Sequence, residues 1–359
     1  MNQTNDITPT RLYDMLSLPA ENIPELVAEA AAIKERCVGN VVYLRGLLEY
    51  SNICTKNCYY CGIRCGNRNV LRYQMEDYEV VEAALYAHRK GFASLVIQAG
   101  ERSDTTFTTG VARLLEQIMS ATHTGLKITL SVGEQSRDTL RLWKRCGADR
   151  YLLRVESSSE TLYSKIHPNN ANHSYAKRIR AIEILKEEGY QVGSGVMIGL
   201  PFQTTEDLVN DLLFLQRYDI DMVGMGPYVE HEHTPLYQYR HLLLPKAERL
   251  NLTIKMVASL RILMKDINIA ATTAMQTLAD NGRERAVSAG ANVIMPNLTP
   301  AKYRGEYHLY ENKPLLKEDA DDNLEELERT IASTGNTTGY GKPGDSPHYT
   351  KRQKNLSVS

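Results

Sequence analysis

Residues 41–61 read VVYLRGLLEYSNICTKNCYYC. The first ten, 41–50, are rich in β-branched and aromatic side chains and read as a strand. Cys54, Cys58 and Cys61 follow at once, spaced C-x3-C-x2-C, with Cys65 four residues further on. A strand that runs straight into a loop of thiols suits a fold that keeps its chemistry where strands end and loops begin.

Outward from this stretch the chain repeats one unit. Strand-like segments recur at 94–100 (SLVIQAG), 127–133 (KITLSVG), 150–157 (RYLLRVES), 191–200 (QVGSGVMIGL), 221–229 (DMVGMGPYV), 268–275 (NIAATTAM) and 292–296 (NVIMP). Helical patterns lie between them, as in 75–92, 136–147, 174–190 and 204–219. Several stop at Gly after a basic last turn: RKG, KRCG, KEEG. Alternating strands and helices imply a parallel sheet, and eight such units close a (β/α)8 barrel of the TIM type. The alternative is a doubly wound open sheet, but no Gly-rich dinucleotide turn follows the first strand. Residues 1–40 read as an N-terminal helical segment, with Thr8 or Thr10 as a cap. The barrel then spans 41–315, and 316–359 form a C-terminal helix and a polar tail. The tail, rich in Gly, Ser, Thr and charge, is expected to be flexible or loosely packed.

The 359 residues carry a formal charge of −1 with 42% hydrophobic and 24% charged residues. That balance gives no electrostatic case for nucleic acid. No apolar run is long enough for a membrane span, and the N-terminus lacks a basic start followed by an apolar core. A cytoplasmic protein is expected. Of six cysteines, four crowd one short stretch, which points to metal rather than disulfides.

Three closely spaced thiolates can wrap an iron–sulfur cubane, and three ligands for four irons leave one iron open. An open iron can chelate the amino and carboxylate groups of S-adenosylmethionine (SAM). One electron can then break the sulfonium bond and release a 5′-deoxyadenosyl radical. Cys65 as a fourth ligand would instead make a closed electron-carrying cluster. Four thiolates also suit structural zinc, and the cysteines could simply pack. Tyr60 beside the last ligand and the barrel context favour the open cluster.

C-x3-C-x-aromatic-C after a first strand resembles the signature of the radical SAM superfamily. The resemblance implies a [4Fe–4S] cluster on Cys54, Cys58 and Cys61, which would be the catalytic centre. It also implies SAM contacts from Tyr60, from Ala99, Gly100 and Glu101 in QAGE, and from Ser131, Glu156 in RVES, Arg178, and Met197 in GVMIGLP. RYQM, IQAGE, TLSVGE, CGADRYLLR, GLPFQTTEDLVNDLLFL, DMVGMGP, IAATTAMQT and GANVIMPNLTPAKYRGEYHLY are further similar to the HydE family of [FeFe]-hydrogenase maturases, over roughly residues 40–315. Biotin synthase and methylornithine synthase resemble the chain less. On the HydE resemblance, radical chemistry acts on a small or organometallic substrate in building the hydrogenase H-cluster. A ferredoxin or flavodoxin would supply the electron, and other maturases would be partners. Thr129, Arg154, Met225, Thr272, Thr273, Tyr303 and Arg304 would line the substrate end, with Ser131 beside them. A HydE paralogue acting on another thiol- or amino-acid-derived substrate is one alternative, and an iron–sulfur carrier or scaffold is another.

The sequence departs from the family in places. No cysteine follows Cys146, so the second C-terminal cysteine trio of many HydE proteins cannot form. Val155 stands where the family has His, Gln135 replaces Trp in GEW, and Leu298 replaces Trp in NWTP. Val155 alternates with Arg154 and Glu156, so it faces the helices if they face the cavity.

Each candidate has a plainer reading. Arg154 and Glu156 can be an ion-pair layer, Arg178 a solvated helix residue, and Glu101 a helix cap. Thr272 and Thr273 suit a strand for their branching alone, Met197 and Met225 suit a core, and Tyr303 and Arg304 suit a surface loop. EHEHTP (230–235) reads as a polar rim rather than a metal pair, and Cys37 and Cys146 as small buried side chains.

Overall fold

The computed structural model describes residues 7–314 and 320–358. The strands are β1 Val41–Leu44, β2 Gly46–Ser51, β3 Ser94–Ala99, β4 Lys127–Ser131, β5 Ala148–Leu152, β6 Gln191–Ser194, β7 Met197–Ile198, β8 Met222–Val223, β9 Gly226–Pro227, β10 Asn268–Ile269, β11 Val293–Ile294 and β12 Thr337–Thr338. Seven of them form one parallel sheet in the order β10-β8-β6-β5-β4-β3-β2. Backbone hydrogen bonds then close the ring. Asn292 N–H donates to Ile269 O and Ala271 N–H to Val293 O, while Tyr43 N–H donates to Asn292 O, all 2.9 Å, and Arg45 N–H donates to Ile294 O at 3.0 Å. All eight sequence-predicted strands are present, and they make a barrel rather than an open sheet.

The helices form because each stretch has an apolar face and a competent start. Asp104, Ser136, Ser159 and Ser174 each accept a backbone N–H at a helix N-terminus, and Thr204 with Asp207 forms a capping box. Thr8, rather than Thr10, caps the first helix, Pro9–Ser17. The Gly stops are real: Gly91, Gly147 and Gly189 have φ of 80°, 113° and 74°, a conformation that a Cβ disfavours.

Strand alternation separates two environments. Ile97, Leu130 and Val155 point to the helices and are fully buried. Their inward neighbours Gln98, Ser131 and Arg154 retain solvent exposure although they lie inside the ring. The upper barrel therefore encloses a hollow, and Val155 belongs to the outer core.

Two expectations fail. Residues 268–275 do not remain a strand: pairing stops at Ala270, and Thr273–Leu278 is helical, with Thr272 at its N-cap position. Thr272 has no further partner strand, and its hydroxyl turns to Met225 O rather than capping the helix. The tail is not loosely packed. Its β12 pairs with β1, and residues 343–345 plug the barrel floor. Buried Arg45 donates to Gly344 O, and Asn268 to the same oxygen. Buried Arg150 donates to Pro343 O and binds Asp345 at 2.6 Å. Two guanidiniums inside a barrel need acceptors, and the polar tail supplies them. The boundary read at 315/316 falls outside the described residues.

Candidate active site

The cysteine loop leaves β2 at the mouth of the barrel and is held from every side. Arg72 staples it from within, donating to the carbonyls of Asn52, Ile63, Arg64 and Asn67 at 2.7–3.0 Å. Thr55 N–H donates to Glu101 O at 2.9 Å, and Cys54 Sγ accepts the N–H groups of Glu101 and Lys56. The segment after β5 grips the far side. Tyr59 N–H donates to Ile166 O, Asn57 N–H to His173 Nε2 at 2.9 Å, and Lys56 Nζ to Asn172 O. His173 Nδ1 lies 2.8 Å from Asn170 Oδ1, so the ring is neutral with its proton on Nδ1.

Gly100 makes this approach possible. A Cβ there would lie 2.4 Å from Ile53 O and 2.7 Å from Cys54 Cβ, inside van der Waals contact. Burial raises all three thiols, Cys58 to about 12 and Cys61 well above its ordinary range, and each is raised further by neighbouring cysteines. Three half-buried sulfurs that raise one another's pKa are suited to cations, which would replace their protons. Cys65 is near enough to raise the Cys54 thiol but is itself exposed.

Beside the thiols lies a buried quartet of charges. Lys56 Nζ is 3.0 Å from Glu101 and 3.1 Å from Glu134; Arg178 is 2.7 Å from Glu134 and 3.8 Å from Glu101. Arg178 is therefore no solvated helix residue. Burial opposes its charge, but Glu134 and the other nearby anions outweigh that and raise its pKa. Burial raises Glu101 despite Arg178 and Lys56. Glu101 caps no helix; Asp104 does that. Gly133, at φ 80°, leaves room for the Glu101 carboxylate, which a Cβ would meet at 2.3 Å.

At the end of the next strand Glu156 takes φ 69°, a left-handed conformation that is costly for a residue with a Cβ. It bridges strands through Gly195 O and Met197 N–H, and its carboxylate lies 3.1 Å from Arg154 Nη2. Burial raises its pKa, with Arg154 and Arg178 opposing. Met197 packs in a small apolar cluster with Leu162, Ile166, Leu200, Tyr228 and Leu236, against which Tyr60 also packs.

Other sequence-predicted residues scatter. Ala99 is buried at the end of β3 beside Gly100. Thr129 is sealed within the barrel with its hydroxyl unpartnered, and Ser131 stands above it at the hollow. Thr272 Oγ1 is 3.4 Å from Met225 O, and Thr273 Oγ1 accepts from Arg283. Met225 is fully buried in the main core. Tyr303 and Arg304 lie on a short helix, Ala301–Arg304, not a loop. The Tyr303 hydroxyl donates to Glu79 at 2.7 Å, its ring stacks on Tyr73, and Arg304 donates to Thr299 O. Glu79 belongs to the helix Asp77–Arg89, so Tyr303 is tied to the barrel's outer layer. Sequence reasoning missed Lys56, Glu134, His173 and His167, whose Nε2 lies 3.3 Å from the Tyr60 hydroxyl. Lys56 sits inside the cysteine motif, and Glu134 ends its strand in the same Gly-Glu pair as Glu101, so both left a signal. The histidines left none.

Residues 48–215 match the family model for the radical SAM superfamily. The chain is 42% identical over 312 residues to the [FeFe] hydrogenase maturase subunit HydE of Thermotoga maritima, covering 87% of this chain and 86% of that one. The chain belongs to the HydE family of radical SAM enzymes. It is also 26% identical to 3-methylornithine synthase of Methanosarcina acetivorans, over 79% of this chain and 77% of that one. The solved structure of methylornithine synthase shares its fold, with a TM-score of 0.80 at 23% identity over 94% and 96% of the two chains. As a radical SAM enzyme this HydE-family chain uses a [4Fe–4S] cluster and SAM. The donor set is compatible with both: three half-buried thiols on one loop, close enough to raise one another's pKa, and polar atoms at the strand ends, such as Arg154 Nε, that have no partner among the described residues. Among the described residues no helix is long and apolar enough to cross a membrane.

Proposed function

We propose that Cys54, Cys58 and Cys61 hold the cluster and that SAM lies across the adjoining strand ends. Tyr60, Ala99, Gly100, Glu101, Ser131, Glu156, Arg178 and Met197 would be its neighbours. The observation that carries this reading is the anchored three-thiol loop packed directly against the Lys56–Glu101–Glu134–Arg178 quartet above an enclosed hollow. When bound, the cluster and SAM supply a carbon-centred radical by one-electron cleavage of the sulfonium. The chain's own residues do the rest. Lys56 and Arg178 hold Glu101 and Glu134 in place. The apolar face of Met197 and Tyr60 excludes water, and the ring of strands keeps a reactive species from solvent. Thr129, Arg154, Thr272 and Thr273 face the substrate.

The kinship with HydE supports a role in [FeFe]-hydrogenase maturation; on that reading the substrate is small and organometallic, and a ferredoxin or flavodoxin is the reductant. The test is anaerobic reconstitution with iron and sulfide, reduction, and addition of SAM. A cluster EPR signal that shifts with SAM, together with 5′-deoxyadenosine, is expected. Replacing any of Cys54, Cys58 or Cys61 by Ala should abolish both, and cleavage that survives would remove that ligand. Restored hydrogenase activity in cells lacking only HydE would support the maturation role, and failure there with SAM cleavage intact would point to a paralogue. Because Cys65 lies near Cys54, a carrier with four thiolates is the second reading. Loss of the cluster in Cys65→Ala would favour it.

A further inference from the structure

Among the described residues the buried acids are Glu49, Asp211 and Asp221. Glu49 binds Lys313 and Asn297, and Asp221 binds Arg352 at 2.7 Å. No cation pairs with Asp211 among the described residues. The charge that acts on it is Asp207, another acid on the same helix, Thr205–Arg217. Its Oδ1 accepts both the N–H and the hydroxyl of Ser158, at 2.6 and 2.7 Å, and its Oδ2 has no partner among the described residues. Burial pushes its pKa up to about 7. An acid sealed away without a counter-charge costs stability, and such a cost is tolerated where function needs the group.

What Asp211 holds is the turn that leaves Glu156. Ser158 lies two residues past Glu156, whose φ is 69°. On the strand side the Glu156 backbone is fixed by Gly195 O and Met197 N–H. On the exit side Asp211 grips Ser158 from the helix layer, the Tyr175 hydroxyl donates to Ser158 O at 2.7 Å, and Ser159 caps the helix Glu160–Ile166. A residue with a Cβ stays left-handed only where its surroundings over-determine it. Freed at Ser158, the chain could relax to negative φ, and the Glu156 carboxylate would swing off Arg154, which it meets at 3.1 Å. Asp211 itself is 0% exposed, so it reaches the hollow through Glu156 and not directly.

We propose that Asp211 is a positioning residue for SAM: from the outer helix layer it clamps Ser158 and so holds Glu156 in the left-handed conformation that presents its carboxylate at the strand end. The inference rests on the reading that Glu156 is a neighbour of SAM.

The test is SAM affinity of the reconstituted protein, measured by equilibrium dialysis. Asp211→Leu removes an uncompensated charge at similar size and should fold, with wild-type iron content and an unchanged reduced-cluster EPR signal before SAM is added. Its SAM Kd should rise about tenfold, the loss expected for two hydrogen bonds to a charged group. Asp211→Asn keeps the accepting oxygen and should stay within about threefold of wild type. In the apoprotein, hydrogen exchange at the Ser158 amide should be fast in the Leu variant and slow in the Asn variant. Because Asp211 acts through Glu156, Asp211→Leu added to Glu156→Ala should weaken SAM no further than Glu156→Ala alone. If the Leu variant fails to fold or to hold iron, Ser158→Ala, which removes one of the two bonds, should raise Kd about threefold with the same non-additivity. Wild-type affinity in the folded Leu variant, or in Ser158→Ala where that replaces it, would overturn the proposal. So would an Asn variant as weak as Leu, or additive losses in the double variant. A wild-type protein that binds no SAM removes the proposed function, whereas wild-type binding that the Asp211 variants leave unmoved removes this inference alone.

Discussion

The Lys56 ammonium lies 3.0 Å from the Glu101 carboxylate, and Lys56 is itself a residue of the cysteine loop. The spacer between two cysteines is therefore tied by charge to the end of the neighbouring strand. Lys56 is buried and Glu101 nearly so, and their removal is felt as unpaired charge rather than as a lost surface bridge.

Lys56→Met should destabilise the apoprotein by about 3–5 kcal/mol, the usual cost of stranding a buried carboxylate. Combining it with Glu101→Gln should recover part of the loss, because the stranded charge is gone. Urea denaturation of the two variants measures this. A double variant no better than the single one would show that Lys56 acts by packing alone.

Gly100→Ala should fold yet hold less iron. The new Cβ must push the Ile53 carbonyl and Cys54 away from contacts of 2.4 and 2.7 Å, at about 1–3 kcal/mol for such overpacking. Because the displaced atoms belong to the thiol loop, iron and sulfide per chain should fall after reconstitution while circular dichroism stays native. Wild-type iron content would show that the loop yields freely.

His173 gives the cysteine loop an acid sensitivity. Burial, helped by Lys56, holds its pKa down at about 4, and burial holds His167 at about 3, both below the ordinary 6.5. The folded state refuses protons that the unfolded chain accepts. Stability should be undiminished above pH 6.5 and decline as pH falls from there towards 4. His173→Ala should flatten that decline, at the cost of an acceptor for Asn57 N–H worth about 1–3 kcal/mol. Thermal melts between pH 4 and 8 decide it, and an unchanged slope would count against the neutral ring.

The tail should respond to alkali instead. Hydrogen bonds to Asp219 and Asp266 lift His348 to about 9. Its folded pKa exceeds the unfolded one, so its contribution is complete below pH 6.5 and lost as pH rises through about 9. Arg352 and Lys351 stay charged there and keep part of the grip on Asp219, Asp221 and Asp266. Hydrogen exchange in residues 345–358 should quicken above pH 9, and His348→Ala should show the fast rate already at pH 7. Equal protection at pH 7 and pH 10 would refute this.

Much of the molecule was legible in one dimension. The barrel followed from local chemistry: apolar runs of strand length, Gly after basic helix ends, and cap residues, each acting within a few positions. The cysteine spacing was legible for the same reason, since a single loop supplies all three sulfurs. Glu156 and Arg154 could be placed on one face because strands alternate. Local pattern failed where the partner was remote. Thr272 and Thr273 read as strand because their branching suits one, but the ladder ran out at Ala270. Tyr303 read as a mouth residue, but Glu79, more than two hundred positions away, holds it on the outside.

The sequence by itself determined the fold class, the thiol loop and the family, because those rest on spacing and on short-range backbone preference. Tertiary structure alone decided that the polar tail plugs the floor and that His173 and Lys56 clamp the loop. A residue's composition says what charge it can carry. Only the packing around it says whether water, a counter-charge or an unfilled space surrounds that charge.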